Sequence, residues 1–397
     1  MILSDVCEFI VDCPHSTAPD EGKGYPLIRT PNVGKGRLDL NGVHRVSESV
    51  YKQRIQRGAP RANDLIFARE APAGNVALVQ ENQNVCLGQR TVLIRPNVQK
   101  VNPQYLVYYL LSPKPQYELL GTANGATVAH VNLPAIRNLK IELPEKSVQD
   151  KIGTILVSYD DLIENNQKQI KLLEEAAQRL YKEWFVDLRF PGHENTKIVD
   201  GVPEGWNECT VESFGTVITG KTPTTSNKEY YTNGKVPFVT IPDMHNVVYP
   251  LETEKRLTIE GAQTQKNKYI PPNSVMISCI GTVGLVSIAT EVCQTNQQIN
   301  SIILNNEDDL YFFYESMLRM KDLLDGLGSN GATMTNVNKS KLEKLIIISP
   351  SKDIVKQYND ICKPLFESAL NLSRKNVSLK NMREALLPKL MSGEVEV

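Results

Sequence analysis

NDLIFAREAPAGNVALV (63–79) and NSVMISCIGTVGLVSIA (273–289) decide the fold: laid side by side without a gap, they put Gly74 on Gly284. Each reads as a short apolar strand, a glycine turn and a second apolar strand, because a run of about four to eight apolar residues bounded by turn residues suits a strand buried on both faces. Working outward, YPLIRTPNV (25–33) matches VPFVTIPDM (236–244), and VCLGQRTVLIRP (85–96) resembles VCQTNQQINSIIL (292–304). The best correspondence sets GATVAHVNLPAIRNLKIELP (125–144) against GATMTNVNKSKLEKLIIISP (331–350), with Asn132 on Asn338 and Pro144 on Pro350. The offset stays near 206 to 211 residues, so half the chain is duplicated.

Beyond each proline the pattern changes to a long helix. Over 149–184 one heptad row reads Gln149, Leu156, Ile163, Ile170, Ala177, Trp184, and its partner row Ile152, Tyr159, Asn166, Leu173, Leu180, which is a sustained coiled-coil seam. The second half offers Tyr358, Leu365, Leu372, Leu379 and Leu386, with Ile354, Ile361 and Met382 beside them and Ser368, Lys375 and Lys389 interrupting. Pro364 is expected to start or kink that helix. Two helices of about 36 residues would each run about 54 Å, longer than a domain of about 140 residues is wide. Pairing with each other, as an antiparallel coiled coil, is therefore expected over packing of each helix on its own domain. Asn166 fits either a register-setting role or a solvated gap. The expected class is α+β, with globular domains at 1–144 and 191–350 and helices at 145–190 and 351–397.

These four segments carry net charges of +4 (16 basic, 12 acidic), −2 (7, 9), −5 (13, 18) and +2 (8, 6) within a total of −1. A uniformly basic nucleic-acid coat is excluded, whereas a local basic face is not. The first domain concentrates its excess in Lys35, Arg37, His44, Arg45, Lys52, Arg54, Arg57 and Arg61, against Asp39 and Glu48. Seven scattered cysteines without a CxxC signal neither a disulfide framework nor a metal site. No stretch approaches about 18 uninterrupted apolar residues, and the N-terminus lacks the pattern of a secretion signal. A cytoplasmic protein with no membrane contact is expected.

Several catalytic patterns fail on context. Gly215 to Thr222 matches GxxxxGK[ST], yet Pro223-Thr-Thr-Ser-Asn follows where a helix must open, so no phosphate loop is expected. Gly326 to Gly331 matches GxGxxG after a helical stretch rather than a strand, and reads as a helix stop. An adenine methyltransferase would carry (D/N)PP(Y/F), and Pro271-Pro272 is followed by Asn273. Cys13 and His15 have no third group to orient them, and Pro19 to Lys23 reads as a loop rather than a nuclease signature.

Two divergent domains in tandem, each ending in a long helix, resemble the specificity subunit of a type I restriction-modification system. The resemblance is carried by DCPHSTAP (12–19), GYPLIRTPNV (24–33), DLIFAREAPAGNVALV (64–79), LGQRTVLIRP (87–96) and the run to LLEEAAQRLYKEWFVDLRF. In the second half it is carried by VPEGW (202–206), TGKTPT (219–224), NQQIN (296–300) and MREALLPKLMSGEVEV. It covers the whole chain. It implies two target recognition domains, each reading one half of a split asymmetric site in double-stranded DNA, with the paired helices as a ruler. It implies no catalysis by the chain itself: two methyltransferase subunits would bind S-adenosylmethionine, and two restriction-translocase subunits ATP and Mg. The ends around Trp184-Phe185 and Leu386 to Leu390 are the expected docking regions. The alternative is a coiled-coil adaptor or tandem binding module without DNA function.

Candidate DNA contacts are Lys35, Arg37, Arg45, Arg54, Arg57, Arg61, Arg69 and Arg90 in the first domain, and Lys221, Lys228, Asn296, Gln297 and Gln298 in the second. Arg54 and Arg57 stand out if SESVYKQRIQR is a helix, because three-residue spacing puts both on one face. The acidic second domain leaves two options open: its lysines Lys221, Lys228, Lys235, Lys266 and Lys268 gather on one face, or partner subunits supply the phosphate contacts.

Overall fold

The computed structural model describes residues 1–121, 130–328 and 336–397. The chain forms two compact units, one of Met1–Glu164 with Ser378–Val397 and one of Asn165–Val377. In chain order the first contains β1 (Cys7–Asp12), β2 (Tyr25–Ile28), β3 (Gly36–Arg37), β4 (Arg45–Val46), α1 (Glu48–Arg54), β5 (Leu65–Ala68), β6 (Val76–Leu78), β7 (Cys86–Leu87), β8 (Thr91–Pro96), α2 (Pro103–Leu111), α3 (Pro113–Gly121), α4 (Leu133–Arg137) and the opening of α5 (Lys146–Tyr181). The second continues with β9 (Ile198–Val199), β10 (Val202–Pro203), β11 (Asn207–Thr210), α6 (Val211–Phe214), β12 (Gly215–Thr219), β13 (Val236–Val239), β14 (Lys255–Leu257), α7 (Ile259–Gln263), β15 (Val275–Ser278), β16 (Val286–Ile288), β17 (Gln294–Thr295) and β18 (Ile299–Leu304). It closes with α8 (Leu310–Arg319), α9 (Lys321–Gly328), α10 (Lys339–Glu343), β19 (Ile346–Ser349) and α11 (Lys352–Ser392), whose end belongs to the first unit.

The duplication holds for four strands of the larger sheet and for all three of the smaller one. The larger sheet of the first unit runs β1-β8-β5-β6-β3 and that of the second β12-β18-β15-β16; the smaller sheets run β4-β2-β7 and β14-β13-β17. Registers agree too, Leu65 facing Ile94 as Val275 faces Ile302. The unbroken apolar runs at β5 and β15 follow from burial on both faces. Leu65 and Phe67 join one core with Tyr105 and Leu106, while Ile66 and Ala68 join another with Ile28 and Leu87. Val275 and Ile277 likewise pack with Phe312 and Phe313, and Met276 with Val239 and Ile299. At the turn between the strands, Gly74 and Gly284 adopt φ of +91° and +81°, the left-handed region where a side chain is strained. Their amides donate to Ala68 and Ser278, at 2.9 Å in both cases. Of the best repeat correspondence, 125–129 and 331–335 lie outside the described residues.

Helices α5 and α11 pair antiparallel wherever the two share a unit. In the second unit the Asn166 amide donates to Asn376 Oδ1 (2.8 Å), and the Tyr358 hydroxyl to the carbonyl of Ala177 (3.2 Å). In the first, Arg383 is ion-paired with buried Asp160, and Lys151 reaches the carbonyl of Val397 (3.0 Å). On α5, Leu156, Ile163, Asn166 and Ala177 are buried, with Ile170, Leu173 and Leu180 half-buried. On α11, Ile354 and Tyr358 are buried as expected, and the rest of the row needs correcting. Leu365, Leu372, Leu379 and Leu386 are half-buried flanks, while Ile361 and Met382 are exposed. The buried heptad row is Val355, Cys362, Ala369, Asn376 and Leu390, with Arg383 in the same row. Two polar members hide that row from a search for leucines. Asn376 is buried against Asn166, and Arg383, its side chain 12% exposed, lies against buried Asp160.

Two further expectations are modified by the structure. Helix α11 spans Lys352–Ser392 and so does not start at Pro364; Pro364 and Asp360, whose carbonyl loses its helical donor, are both exposed residues. Trp184 is buried and Phe185 half-buried in an aromatic cluster with Trp206, Phe312 and Tyr358, so they build the core of the second unit rather than a docking face. Nearby, Glu315 of α8 is buried with Oε1 unpartnered. Burial pushes its carboxyl up to about 8, and that of Glu174 on α5 up to about 7. Among the described residues, no helix is long and apolar enough to cross a membrane.

Candidate nucleic-acid interface

In the first unit, the registers Asp12 to Val92 and Ala68 to Thr91 bring the ends of β1 and β5 and the start of β8 to one end of the larger sheet. The loop after β1 is held there by three side chains on its carbonyls. Arg57 donates to Cys13 (3.0 Å), Gln89 to His15 (2.7 Å) and Arg54 to Ser16, with a second Arg54 bond to Leu87 (2.8 Å).

This corrects the expectation for Arg54, and for Arg57 it corrects the helical argument. Residues 48–54 are helical, but Arg57 lies beyond the helix, so the shared-face argument fails. Arg54 is 5% exposed and spends its guanidinium on backbone carbonyls, leaving no face for a phosphate. Arg57 donates to the same loop through one terminal nitrogen but is exposed, so the structure brings it to the loop without burying it.

The other basic candidates divide. Lys35 (3.9 Å from Glu384) and Arg37 (paired with Asp161) lie against the helices rather than at this sheet end. Arg45 donates to the carbonyl of Gly24 (2.7 Å), and exposed Arg61 pairs with Glu8 (3.1 Å). Asp20 and Glu21, from the nuclease-like stretch, accept backbone amides of Arg45 and Ser47 and so act as turn residues. Arg69 and Arg90 do meet at the sheet end. Arg69 donates to Asp12 Oδ2 (2.7 Å), to the carbonyl of Val131 (2.8 Å) and toward His130 Nε2 (2.8 Å). His130 Nδ1 contacts Glu70, whose other oxygen lies 2.8 Å from Arg90 Nε. Asp12, Glu70 and His130 were invisible as a group in the sequence, since nothing in their spacing joins residues 12, 70 and 130.

The second unit builds the same end. Cys279 N donates to Gln298 O (2.7 Å) as Arg69 N does to Arg90 O (2.9 Å), and Val337 N to Cys279 O (2.9 Å) as Val131 N does to Arg69 O (3.0 Å). Its side chains form an amide and hydroxyl network instead. Thr219 donates to Asn300 Oδ1 (2.7 Å), Thr222 to Gln297 Oε1 (2.6 Å) and Asn296 to Gln298 Oε1 (2.9 Å). Asn296 is buried, Gln298 half-buried and Gln297 exposed; Lys221 and Lys228 are exposed in the loop after β12.

The phosphate-loop pattern is accounted for here. Gly215–Thr219 is β12 itself, the Gly220 and Lys221 amides are committed to Ile299 O (3.0 Å) and Thr295 O (2.9 Å), and no helix opens after Thr222. A Cβ on Gly220 would lie 2.2 Å from the carbonyl oxygen of Asn296, so the glycine permits close strand contact rather than phosphate approach. Gly326 and Gly328 close α9, and Gly331 lies outside the described residues. Burial raises the Cys13 thiol, which disfavours a nucleophilic thiolate.

Comparison with known proteins places this framework. The sequence profile described as the type I restriction modification DNA specificity domain matches twice, over residues 1–175 and 203–381. The HindI type I restriction enzyme specificity subunit of Haemophilus influenzae is 32% identical over 402 residues, spanning 85% of this chain and 87% of that protein. The MjaIX specificity subunit of Methanocaldococcus jannaschii is 28% identical over 371 residues, spanning 90% and 83%. The crystal structure of a type I restriction-modification system S subunit from M. genitalium shares the fold, with a TM-score of 0.57 at 14% identity over 98% of this chain and 95% of that one. This chain belongs to the family of type I restriction-modification specificity subunits.

Proposed function

We propose that each unit reads one half of a bipartite, asymmetric duplex site, and that the paired helices set the spacer between the halves. The observation that carries this is the repeated sheet end: one backbone framework, built twice, presents charged groups in one unit and neutral amides in the other. Such a pair of surfaces suits two different base sequences, since base edges are told apart by donor and acceptor pattern. The chain contributes recognition and no catalysis. Two methyltransferase subunits carrying S-adenosylmethionine, and two restriction-translocase subunits using ATP and Mg, would supply the chemistry, in the cytoplasm.

The test is the methylation pattern of the chain co-expressed with its methyltransferase partner. The expected motif is split, with two unlike halves. Inserting one heptad after Leu173 and one after Met382 adds about 10 Å of helix, or about three base pairs. The spacer should lengthen accordingly with both halves kept. A changed half-site with an unchanged spacer would contradict the ruler, and an adaptor without DNA function would show no salt-dependent duplex affinity.

A further inference from the structure

We infer that Arg90 reads a guanine in the half-site of the first unit, and that Glu70, His130, Arg69 and Asp12 form a relay that aims it. The inference rests on the DNA-recognition role proposed above. Arg69 can only donate, so His130 Nε2, 2.8 Å from its Nη2, must accept. The ring proton therefore sits on Nδ1, which donates to Glu70 Oε1. Glu70 Oε2 is left for Arg90 Nε at 2.8 Å. Asp12 closes the other end of the chain at 2.7 Å from Arg69 Nη1.

Exposure changes sharply along this relay. The side chains of Asp12, Arg69 and Glu70 are 15%, 10% and 16% exposed, whereas that of Arg90 is 61% exposed. A plain surface ion pair needs no buried support, yet this one is backed by three further side chains in sequence. Among the described residues, the two terminal nitrogens of Arg90 have no partner, and with Nε ion-paired to Glu70 they are left for a ligand on a side chain that is mostly exposed. Guanine offers the matching O6 and N7 acceptors in the major groove. A guanidinium already fixed by a carboxylate loses less freedom on binding, which favours recognition by preorganisation. The turn has an unusual backbone as well, with Arg90 at φ +64°. None of the relay is repeated in the second unit, where the equivalent positions are Thr219, Cys279, Ile280, Gln298 and Asn336.

The experiment uses the chain in complex with its methyltransferase, reading both the methylated motif and affinity for cognate duplex. Arg90→Ala should relax one guanine position to any base, leave every other position of both halves intact, and weaken cognate binding about 10- to 100-fold. Arg90→Lys keeps the charge and loses the fork, so it should relax the same position while preserving the salt dependence. Glu70→Gln should give a smaller loss at that position. Three results would overturn the inference: no fixed guanine in the half-site assigned to the first unit, an unchanged motif in Arg90→Ala, or a loss equal on all duplexes with a salt slope reduced by about one, which marks a phosphate contact. Those results leave the DNA-recognition role standing. A wild-type complex without salt-dependent affinity for any duplex would instead remove that role itself.

Discussion

At equivalent points of the repeat the first unit carries Asp12, Arg69, Glu70, Arg90 and His130, and the second carries Thr219, Cys279, Ile280, Gln298 and Asn336. The contrast continues inward. Arg95 holds buried Asp64 at 2.7 Å in the first unit, and the second has Ile303 and Ser274 at those places. Between the helices, the first unit buries the ion pair of Asp160 and Arg383, joined by the Tyr108 hydroxyl (2.5 Å), and the second buries the amide pair of Asn166 and Asn376. The lesson is that backbone hydrogen bonds carry the shared framework, so polar side chains on it can diverge. Charged versions must be completed, because an unpaired buried charge is far more destabilising than an unpaired amide.

The largest expected effect tests that asymmetry directly. Asp160→Ala strands Arg383 and should destabilise the first unit by about 3 to 5 kcal/mol. Asn166→Ala removes one neutral hydrogen bond of Asn376 and should cost the second unit about 1 kcal/mol. Hydrogen exchange resolved by peptide separates the two units, where a single melting temperature would not. Equal losses would break the comparison.

The next effect is a pH slope confined to the second unit. The Glu315 carboxyl is held up to about 8, and Glu174 up to about 7, by burial. Their folded values lie above the unfolded ones, so the folded state keeps protons that the unfolded chain releases. Their stabilising contribution is full below about pH 4.5 and is lost as pH rises toward 8, a change on the order of 2 to 5 kcal/mol. Glu315→Gln should flatten that slope in the second unit and leave the first unaffected. An unaltered slope would mean that other groups produce it.

A smaller effect sharpens the loop comparison. Gly220→Ala forces a Cβ against the Asn296 carbonyl and Thr295 Oγ1, both 2.2 Å away, and should cost about 1 to 3 kcal/mol. Arg57→Ala removes one charge-assisted bond to the Cys13 carbonyl of the equivalent loop. Its expected cost is about 1 kcal/mol, with weaker rather than less specific DNA binding. A change of base preference in Arg57→Ala would restore it as a reader.

Much of the architecture was legible in the residues. The repeat offset, the doubly buried strands around Gly74 and Gly284, and the long helices are local or periodic features, and periodicity survives in one dimension. The seam row of α5 was legible because its members are apolar. That of α11 was not, since Asn376 and Arg383 read as surface residues until their partners are known. One signal was available: Asn376 stands 210 residues after Asn166, within the repeat offset.

By itself, then, the sequence determined the duplicated α+β plan, because strand burial, turn glycines and helix periodicity are written in neighbouring residues, and its motifs carried the resemblance to the family. Only the tertiary structure decided which polar residues act. It drew Arg54 away from solvent onto backbone carbonyls, tied exposed Arg57 to a single carbonyl, and left Arg90 exposed at the end of a relay spanning residues 12 to 130. The physical reason is that charge is read locally in a sequence but satisfied across space, and a guanidinium is free to recognise DNA only where the fold has not already spent it on a carbonyl.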